Sequence, residues 1–259
     1  MVKPLILLSN DDGVSASGLK ALITMLSPLG DLFVIAPDKS RSGASHSLTV
    51  SDTVKVAKIK ESENLSIYSC SGTPADCVKL ATSCLLPHLP DLMISGINHG
   101  SNSSVSVIYS GTMGAAIEAS MLGIPAIGFS LCDHSLDADF SASIKYGRII
   151  VEKLLNIGMP NNISLNINIP PLPQDKIKGI KICRQNKGMW DENFEKETDP
   201  LTGEETYRLS GYYLNEEPEA EGTDETALKN GYISVVPVHF DLTAYSNMEQ
   251  MKYMETFFN

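Results

Sequence analysis

The chain is predicted to fold as an α/β protein: a Rossmann-like, mostly parallel sheet with helices on both faces, followed by an extended C-terminal oligomerisation arm. Three observations carry that expectation. In the first half, short apolar runs of strand length alternate with segments whose apolar residues recur at helical spacing. Several of those runs lead straight into loops rich in Gly, Ser, Asn and Asp, where such sheets bind ligands beyond the carboxyl ends of their strands. Apolar residues make up 42% of the 259 positions, enough for one large core without disulfide or metal staples.

Residues 4–8, Pro-Leu-Ile-Leu-Leu, read as a buried strand. Residues 17–29 place Leu19, Leu22, Ile23, Leu26 and Leu29 on one helical stripe, and residues 32–36 form a second strand stopped by Pro37. Residues 50–59 and 65–69 alternate and are flanked by polar residues, as a pair of exposed strands would be. Residues 74–86 read as a helix with Pro at its start, 91–95 as a strand, 111–122 as a helix and 125–130 as a strand. A long amphipathic helix over 137–157 precedes strands at 164–169 and 179–183, separated by Pro170-Pro171-Leu172-Pro173. Residues 185–226 turn polar and acidic around the only tryptophan, Trp190. A stretch of that character is a solvated arm or an arm covered by another subunit. Residues 231–237 return as a strand, and 248–258 read as an amphipathic helix. The expected division is a core over 1–184, an arm over 185–230, and a returning strand with its helix over 231–259.

The formal net charge of −11 disfavours duplex nucleic acid and anionic membrane as partners, since both are polyanions. It leaves room for a small phosphate ester, because a cation or a row of backbone N–H groups reverses the field locally. Five cysteines without a CxxC pair argue against a disulfide framework or structural zinc and for small buried side chains in a reducing compartment. The opening residues lack a signal-peptide pattern, and no apolar run approaches the ~18 residues of a membrane span, so the cytoplasm is the expected address.

The chemistry concentrates in the loops. Ser9-Asn10-Asp11-Asp12-Gly13 follows the first strand. Adjacent carboxylates at a strand end repel unless something positive sits between them, and a hard divalent cation is suited to oxygen ligands. The alternative is a solvated Asp-Asp-Gly turn. Residues 37–47 combine two cations, four hydroxyls and Gly43, groups that hold phosphate oxygens or ligate a hard cation, and equally the make-up of an ordinary polar loop. Ser95-Gly96-Ile97-Asn98-His99-Gly100 offers a neutral oxygen at Asn98 and an imidazole at His99. Tyr109-Ser110-Gly111-Thr112 opens a helix with small residues and hydroxyls, an anion site or a Ser/Thr cap. Ser71-Gly72-Thr73-Pro74-Ala75-Asp76 repeats that chemistry with a Pro that marks it as structural. GxGxxG, the Walker loop and GxSxG are all missing, which removes the main support for dinucleotide-fold, P-loop and esterase readings.

Taken in order, Ser-Asn-Asp-Asp-Gly-Val, Ala-Pro-Asp-x-x-Arg-Ser-Gly-Ala-Ser, Ser-Gly-Thr-Pro-x-Asp-Cys, Ser-Gly-Ile-Asn-x-Gly and Tyr-Ser-Gly-Thr resemble the SurE family of 5′-nucleotidases. Leu-Asn-Ile-Asn-Ile-Pro at 165–170 and Asp-Leu-Thr-Ala-Tyr at 241–245 extend the resemblance over nearly the whole chain. It implies a Rossmann-like core and a metal-dependent phosphatase that hydrolyses nucleoside 5′-monophosphates, and also 3′-monophosphates and short polyphosphate, through a metal-activated water. It implies one divalent cation, Mg²⁺ or Mn²⁺, on Asp11, Asp12, Ser42 and Asn98. Phosphate-facing positions would be Asn10, Ser42, Gly43, Asn98, Ser110, Gly111 and Thr112, with Asp11, Asp12 and Asn10 forming the catalytic group. It implies a homodimer or homotetramer that exchanges the arm. His99 falls at a position the family varies, and Ser101-Asn102-Ser103-Ser104 departs from the Asn-Leu-Gly usual there. Two other readings of the residues stand beside this one: Asp11 as a covalent nucleophile, and a nucleotide- or metal-sensing module without turnover.

Overall fold

The strands, in chain order, are β1 (Leu5–Ser9), β2 (Asp31–Pro37), β3 (Val56–Ser62), β4 (Leu65–Cys70), β5 (Leu92–His99), β6 (Ala126–Leu131), β7 (Ile163–Ile169), β8 (Ile180–Ile182), β9 (Gly188–Thr198), β10 (Glu205–Asn215) and β11 (Ile233–His239) in a computed structural model that describes residues 3–135 and 137–257. The helices are α1 (Ser17–Leu26), α2 (Pro74–Leu80), α3 (Ser106–Tyr109), α4 (Gly111–Met121), α5 (Ser141–Ile157), α6 (Asp224–Lys229) and α7 (Tyr245–Met251). Nine of the strands make one sheet in the order β3-β4-β2-β1-β5-β6-β7-β11-β8. From β4 to β7 every neighbouring pair is parallel. The carboxyl ends of β1, β2 and β5 therefore open on the same edge, which brings the loops after them together.

Alternation along the central strands divides the core between the two faces. Ile6, Leu8, Val34 and Ile94 point to the side covered by α1 and α5, where Leu22, Met25 and Val151 are fully buried. Leu7, Phe33, Ile35 and Met93 point to the other side, against Cys77 and Val78 of α2 and Met113 and Ala116 of α4. Strands buried on both faces read as continuous apolar runs, the pattern seen at residues 4–8 and 32–36.

Several elements differ from the sequence expectation. β4 is not half of an exposed pair: it hydrogen-bonds in parallel to β2, and only β3 hangs on it as an antiparallel edge. Residues 50–55 stay irregular. The helix expected over 74–86 ends at Leu80 and passes into a π-helical turn, Ala81–Leu85. There the hydroxyls of Thr82 and Ser83 bond back to the carbonyls of Val78 and Lys79 at 2.9 and 2.5 Å, competing with the helical ladder. The helix expected from 137 starts at Ser141, whose N–H and hydroxyl both donate to Asp139 at 2.8 and 2.9 Å. The polar stretch after residue 185 is a two-stranded antiparallel hairpin, β9 with β10. The C-terminal helix begins at Tyr245 and tightens into a 3-10 turn, Lys252–Thr256; Phe258 lies outside the described residues. All five cysteines are free thiols, and Cys84 is exposed, so the expectation of buried side chains fails there.

β5 also runs past its expected end at Ser95. Its register with β6 shifts between Ser95 and Asn98, so one extra residue is accommodated and Asn98 pairs with Ser130. The bulge is covered by α1, and a Cβ added at Gly18 would lie 1.9 Å from the carbonyl oxygen of Ile97. Only glycine permits that approach. Gly18→Ala is expected to separate α1 from the bulge and destabilise the fold by about 3 kcal/mol, at the upper end of overpacking costs, measured by urea unfolding. An unchanged midpoint would show that the two backbones are not packed this tightly.

Candidate active site

The first strand delivers its two acidic residues into a braced turn. Asn10 is fully buried, and its side chain is committed to Gly13: Nδ2 donates to the carbonyl at 3.1 Å, and Oδ1 accepts the N–H at 3.2 Å. Gly13 takes φ +102°, a left-handed geometry that favours glycine, and Val14 N–H then donates to Pro37 O at 2.8 Å. Asn10 thus holds the turn that presents Asp11 and Asp12.

Asp11 is 4% exposed. The Thr112 hydroxyl donates to Asp11 Oδ1 at 2.5 Å. The carboxylate therefore sits on the N-terminus of α4, where the helix dipole is positive. A Cβ at Gly111 would come within 2.8 Å of Asp11 Cβ, so the helix start must be glycine for the carboxylate to fit. Burial nevertheless dominates and, with the neighbouring charge of Asp12, lifts the Asp11 carboxyl to about 6 despite the Thr112 hydroxyl bond that opposes it. Asp12 Oδ2 is buried and has no hydrogen-bond partner. His99 Nδ1 stands 3.7 Å from it; the imidazole is set by Phe140, edge-on at 5.0 Å, and by Ser17 Oγ at 3.5 Å from Nε2.

The loop after β2 is strapped across this point. Arg41 N–H donates to Asp11 O at 2.7 Å, and its guanidinium donates to Ser71 O. Ser45 N–H reaches Tyr109 O at 3.1 Å, and its hydroxyl reaches Ile108 O at 2.6 Å. Between these ties Ser42 and Gly43 are exposed, with Ser42 Oγ 2.9 Å from Ser40 Oγ. The bulge turns Asn98 inward; its Nδ2 donates to Gly100 O at 2.9 Å, which leaves Oδ1 as an oxygen donor. Ser110 Oγ accepts Met113 N–H at 3.0 Å as the cap of α4.

Asp11, Ser42, Gly43, Asn98 and Ser110 line a single cleft of about 680 Å³. Gly111 and Thr112 back it through their contacts with Asp11, and Asn10 lies beneath. A somewhat larger cavity of about 750 Å³, beside Ile117, Val236 and Phe240, is apolar and holds neither acidic residue. Thr73 and Asp76, which share the small-and-hydroxyl chemistry, form a reciprocal capping box on α2 and stay outside the cleft. Among the described residues no group of three or more His, Cys, Asp or Glu side chains is arranged for a metal. A cation here would have to combine the two carboxylates with neutral oxygens, a donor set suited to hard divalent ions. The unpaired, buried Asp12 oxygen fits that requirement.

The opposite wall of the cleft went unread in the sequence. It comes from the hairpin: Trp190, Glu192, Leu209 and Gly211. A buried polar network holds the hairpin in place. Asn168 Nδ2 donates to Asn166 Oδ1 at 3.0 Å, Asn166 Nδ2 to Asn102 O at 2.7 Å, and Asn102 Nδ2 to Ser130 Oγ at 2.9 Å. Ser104 N–H and Asn186 N–H both donate to Asp224, at 2.8 and 2.9 Å, and the Tyr213 hydroxyl lies 2.6 Å from both Ser104 Oγ and Asn186 Oδ1. The readable signal was Asn166 and Asn168, polar residues two apart in an otherwise apolar strand and hence on one face.

Fold and site together define an α/β protein with a strand-end carboxylate pair opening on an anion-accepting helix terminus. The family model for Survival protein SurE matches residues 6–192. The protein called 5′-nucleotidase SurE in Christiangramia forsetii is 54% identical over 245 residues, 94% of each chain, and that in Flavobacterium psychrophilum is 50% identical over 253 residues, 97% of each. The crystal structure of the SurE protein from Aquifex aeolicus superposes with a TM-score of 0.83 at 42% identity, covering 97% of this chain and 100% of that one. The chain belongs to the SurE family.

The Asp11 carboxyl generates a stability prediction for the protein kept metal-free with EDTA. Its folded pKa of about 6 lies above the ordinary 3.8, so the folded state is penalised as pH rises through 6, and the penalty vanishes below about 4. Asp11→Asn removes it. The variant is expected to be more stable than the parent by about 3 kcal/mol at pH 8 and equal to it at pH 3.5, read from urea midpoints at both pH values. A variant less stable at pH 8 would show that Asp11 is not penalised by burial.

Proposed function

We propose that the chain is a metal-dependent phosphomonoesterase acting on nucleoside 5′-monophosphates. The single observation that carries this is the Asp11–Asp12 pair: Asp11 lines an open cleft with its carboxylate buried on a helix terminus, and the adjoining Asp12 holds an unpaired buried oxygen. The relatives' names point to the same activity. Asp11, Asp12, Ser42 and Asn98 would hold a divalent cation, with Mg²⁺ or Mn²⁺ best suited. When bound it supplies Lewis acidity toward a phosphoryl oxygen and lowers the pKa of a water.

The protein's own groups do the rest. Thr112 fixes Asp11 against rotation. Met113 N–H is occupied by the Ser110 hydroxyl, and the Gly111 and Thr112 amides in the first turn of α4 would donate to a phosphoryl oxygen. Ser42 and Gly43 close over the same group from the loop after β2. Asp12, with His99 Nδ1 3.7 Å from its Oδ2, would accept a proton from an attacking water. Asp11 has one oxygen tied to Thr112 and its other side against Gly111, which argues against its use as a covalent nucleophile. The 3′-monophosphates and short polyphosphates carry the same terminal group and are proposed as further substrates of this cleft.

Phosphate release from AMP and GMP is expected with Mn²⁺ or Mg²⁺ and lost with EDTA. Asp11→Asn is expected to lower kcat at saturating metal by about 100-fold or more while the circular dichroism spectrum is retained. Full activity in EDTA, or in the variant, would sink the reading.

We also propose a dimer or tetramer. Phe194 and Tyr212 on the hairpin, and Tyr245, Tyr253 and Phe257 near the C-terminus, are each more than half exposed, apolar surface suited to burial by a second copy. Light scattering of the intact protein is expected to give at least twice the monomer mass; a monomer at micromolar concentration would refute it.

A further inference from the structure

We propose that the inner face of the β9–β10 hairpin reads the nucleobase, with Trp190 as the stacking platform and Glu192 as the group that favours guanine. This rests on the phosphatase reading and adds the substrate's other end.

Trp190, Glu192 and Phe194 lie two apart on β9 and share a face; their partners across the ladder are Tyr213, Gly211 and Leu209. The cleft is lined by Trp190, Glu192, Gly211 and Leu209 from that face. The carboxylate of Glu192 therefore stands opposite the one position on the neighbouring strand that has no side chain. A Cβ at Gly211 would lie 2.6 Å from Asp191 O and 3.1 Å from Glu192 Cα, so the notch is kept open by the backbone itself.

The platform is fixed in place. Trp190 Nε1 donates to Ser106 Oγ at 3.3 Å, and its ring meets Tyr213 edge-on at 6.2 Å between centroids. Tyr213 is in turn bonded to Ser104 and Asn186. Ser106 and Ser110 are one helical turn apart, about 6 Å. Ser106, Ser110 and Trp190 line the same cleft, so the indole shares it with the cap of α4, where the phosphoryl group is proposed to bind. A nucleotide laid from Ser110 toward the hairpin carries its base onto the indole.

The side chain of Glu192 makes no hydrogen bond or ion pair with any described residue, and Glu192 is exposed and lines the cleft. A carboxylate repels a second phosphate there but accepts paired N–H donors. Guanine presents N1–H and N2–H₂ side by side and satisfies both oxygens at once. Adenine has no ring N–H on that edge and offers only its amino group. Stacking is indifferent to the base, so the choice between bases falls to Glu192.

Two measurements test this on the full chain. The first uses Trp190 itself, the only tryptophan. Guanosine, which cannot be hydrolysed as a phosphate ester, is expected to quench its emission saturably, and ribose is not. Guanosine that binds by calorimetry without moving the emission, or that does not bind, overturns the proposal. The second compares hydrolysis of GMP, AMP and ribose 5-phosphate. Trp190→Ala is expected to lower the ratio of KM for ribose 5-phosphate to KM for GMP by at least about fivefold. Glu192→Gln is expected to lower the GMP-to-AMP ratio of kcat/KM by at least about fivefold. Equal changes in KM for GMP and for the base-free ester would make Trp190 a scaffold residue and overturn the platform. An unchanged GMP-to-AMP ratio would overturn the role of Glu192. Wild-type protein that hydrolyses GMP and ribose 5-phosphate with equal kcat/KM refutes the inference and leaves the phosphatase reading standing. Quenching by guanosine with no phosphate released from any ester does the reverse.

Discussion

Two like charges on adjacent residues govern this molecule. Asp11 and Asp12 cannot both be carried at the end of a buried strand without compensation, and each receives a different kind. Asp11 is pressed into the start of α4, where the backbone dipole and the Thr112 hydroxyl meet it. Asp12 keeps an oxygen that nothing in the fold satisfies. Buried polar groups are almost always paired, so an orphan carboxylate oxygen calls for an explanation.

Meeting that constraint draws in distant parts of the chain. Gly111 must lack a side chain for Asp11 to reach the helix, and Gly114 must lack one because the loop after β2 crosses α4 with Ser45 O only 2.3 Å from where its Cβ would be. Gly18 does the same beneath the bulge that turns Asn98 inward. Three close approaches, two on α4 and one on α1, thus bring these segments together. The small residues that look like mere helix or loop filler in the sequence are the means by which charged and polar groups come close.

The parallel core was legible because its strands are buried on both sides: residues such as Ile6, Leu7 and Leu8 leave no ambiguity of face. The convergence of the loops at residues 9–13, 37–47 and 96–112 follows from strand direction alone. Three kinds of information were hidden. β4 looked exposed because a strand next to the sheet edge carries only half-buried residues. The bulge in β5 disguised Gly96 to His99 as loop, since an extra residue breaks the period of two. The hairpin was hidden most completely. Its two faces are largely solvated, so hydrophobicity does not alternate cleanly, and its place over the cleft depends on side chains as far apart in sequence as Ser104 and Tyr213. Long-range hydrogen bonds of this kind leave no local trace beyond an unexpected Asn in an apolar strand.

The position of β11 has a consequence for how the molecule is made. β11 lies between β7 and β8, antiparallel to one and parallel to the other. β8 is translated some fifty residues earlier than β11, yet the sheet gives it no neighbour but β11. A nascent chain leaving the ribosome therefore holds one finished block, β1 to β7, and a waiting fragment. The hairpin and α6 must emerge before β11 can slot between β7 and β8. Completion of the sheet thus belongs to a late moment of synthesis, and a polypeptide stalled short of residue 233 would carry the loops after β1, β2 and β5 on a sheet whose flank is still open.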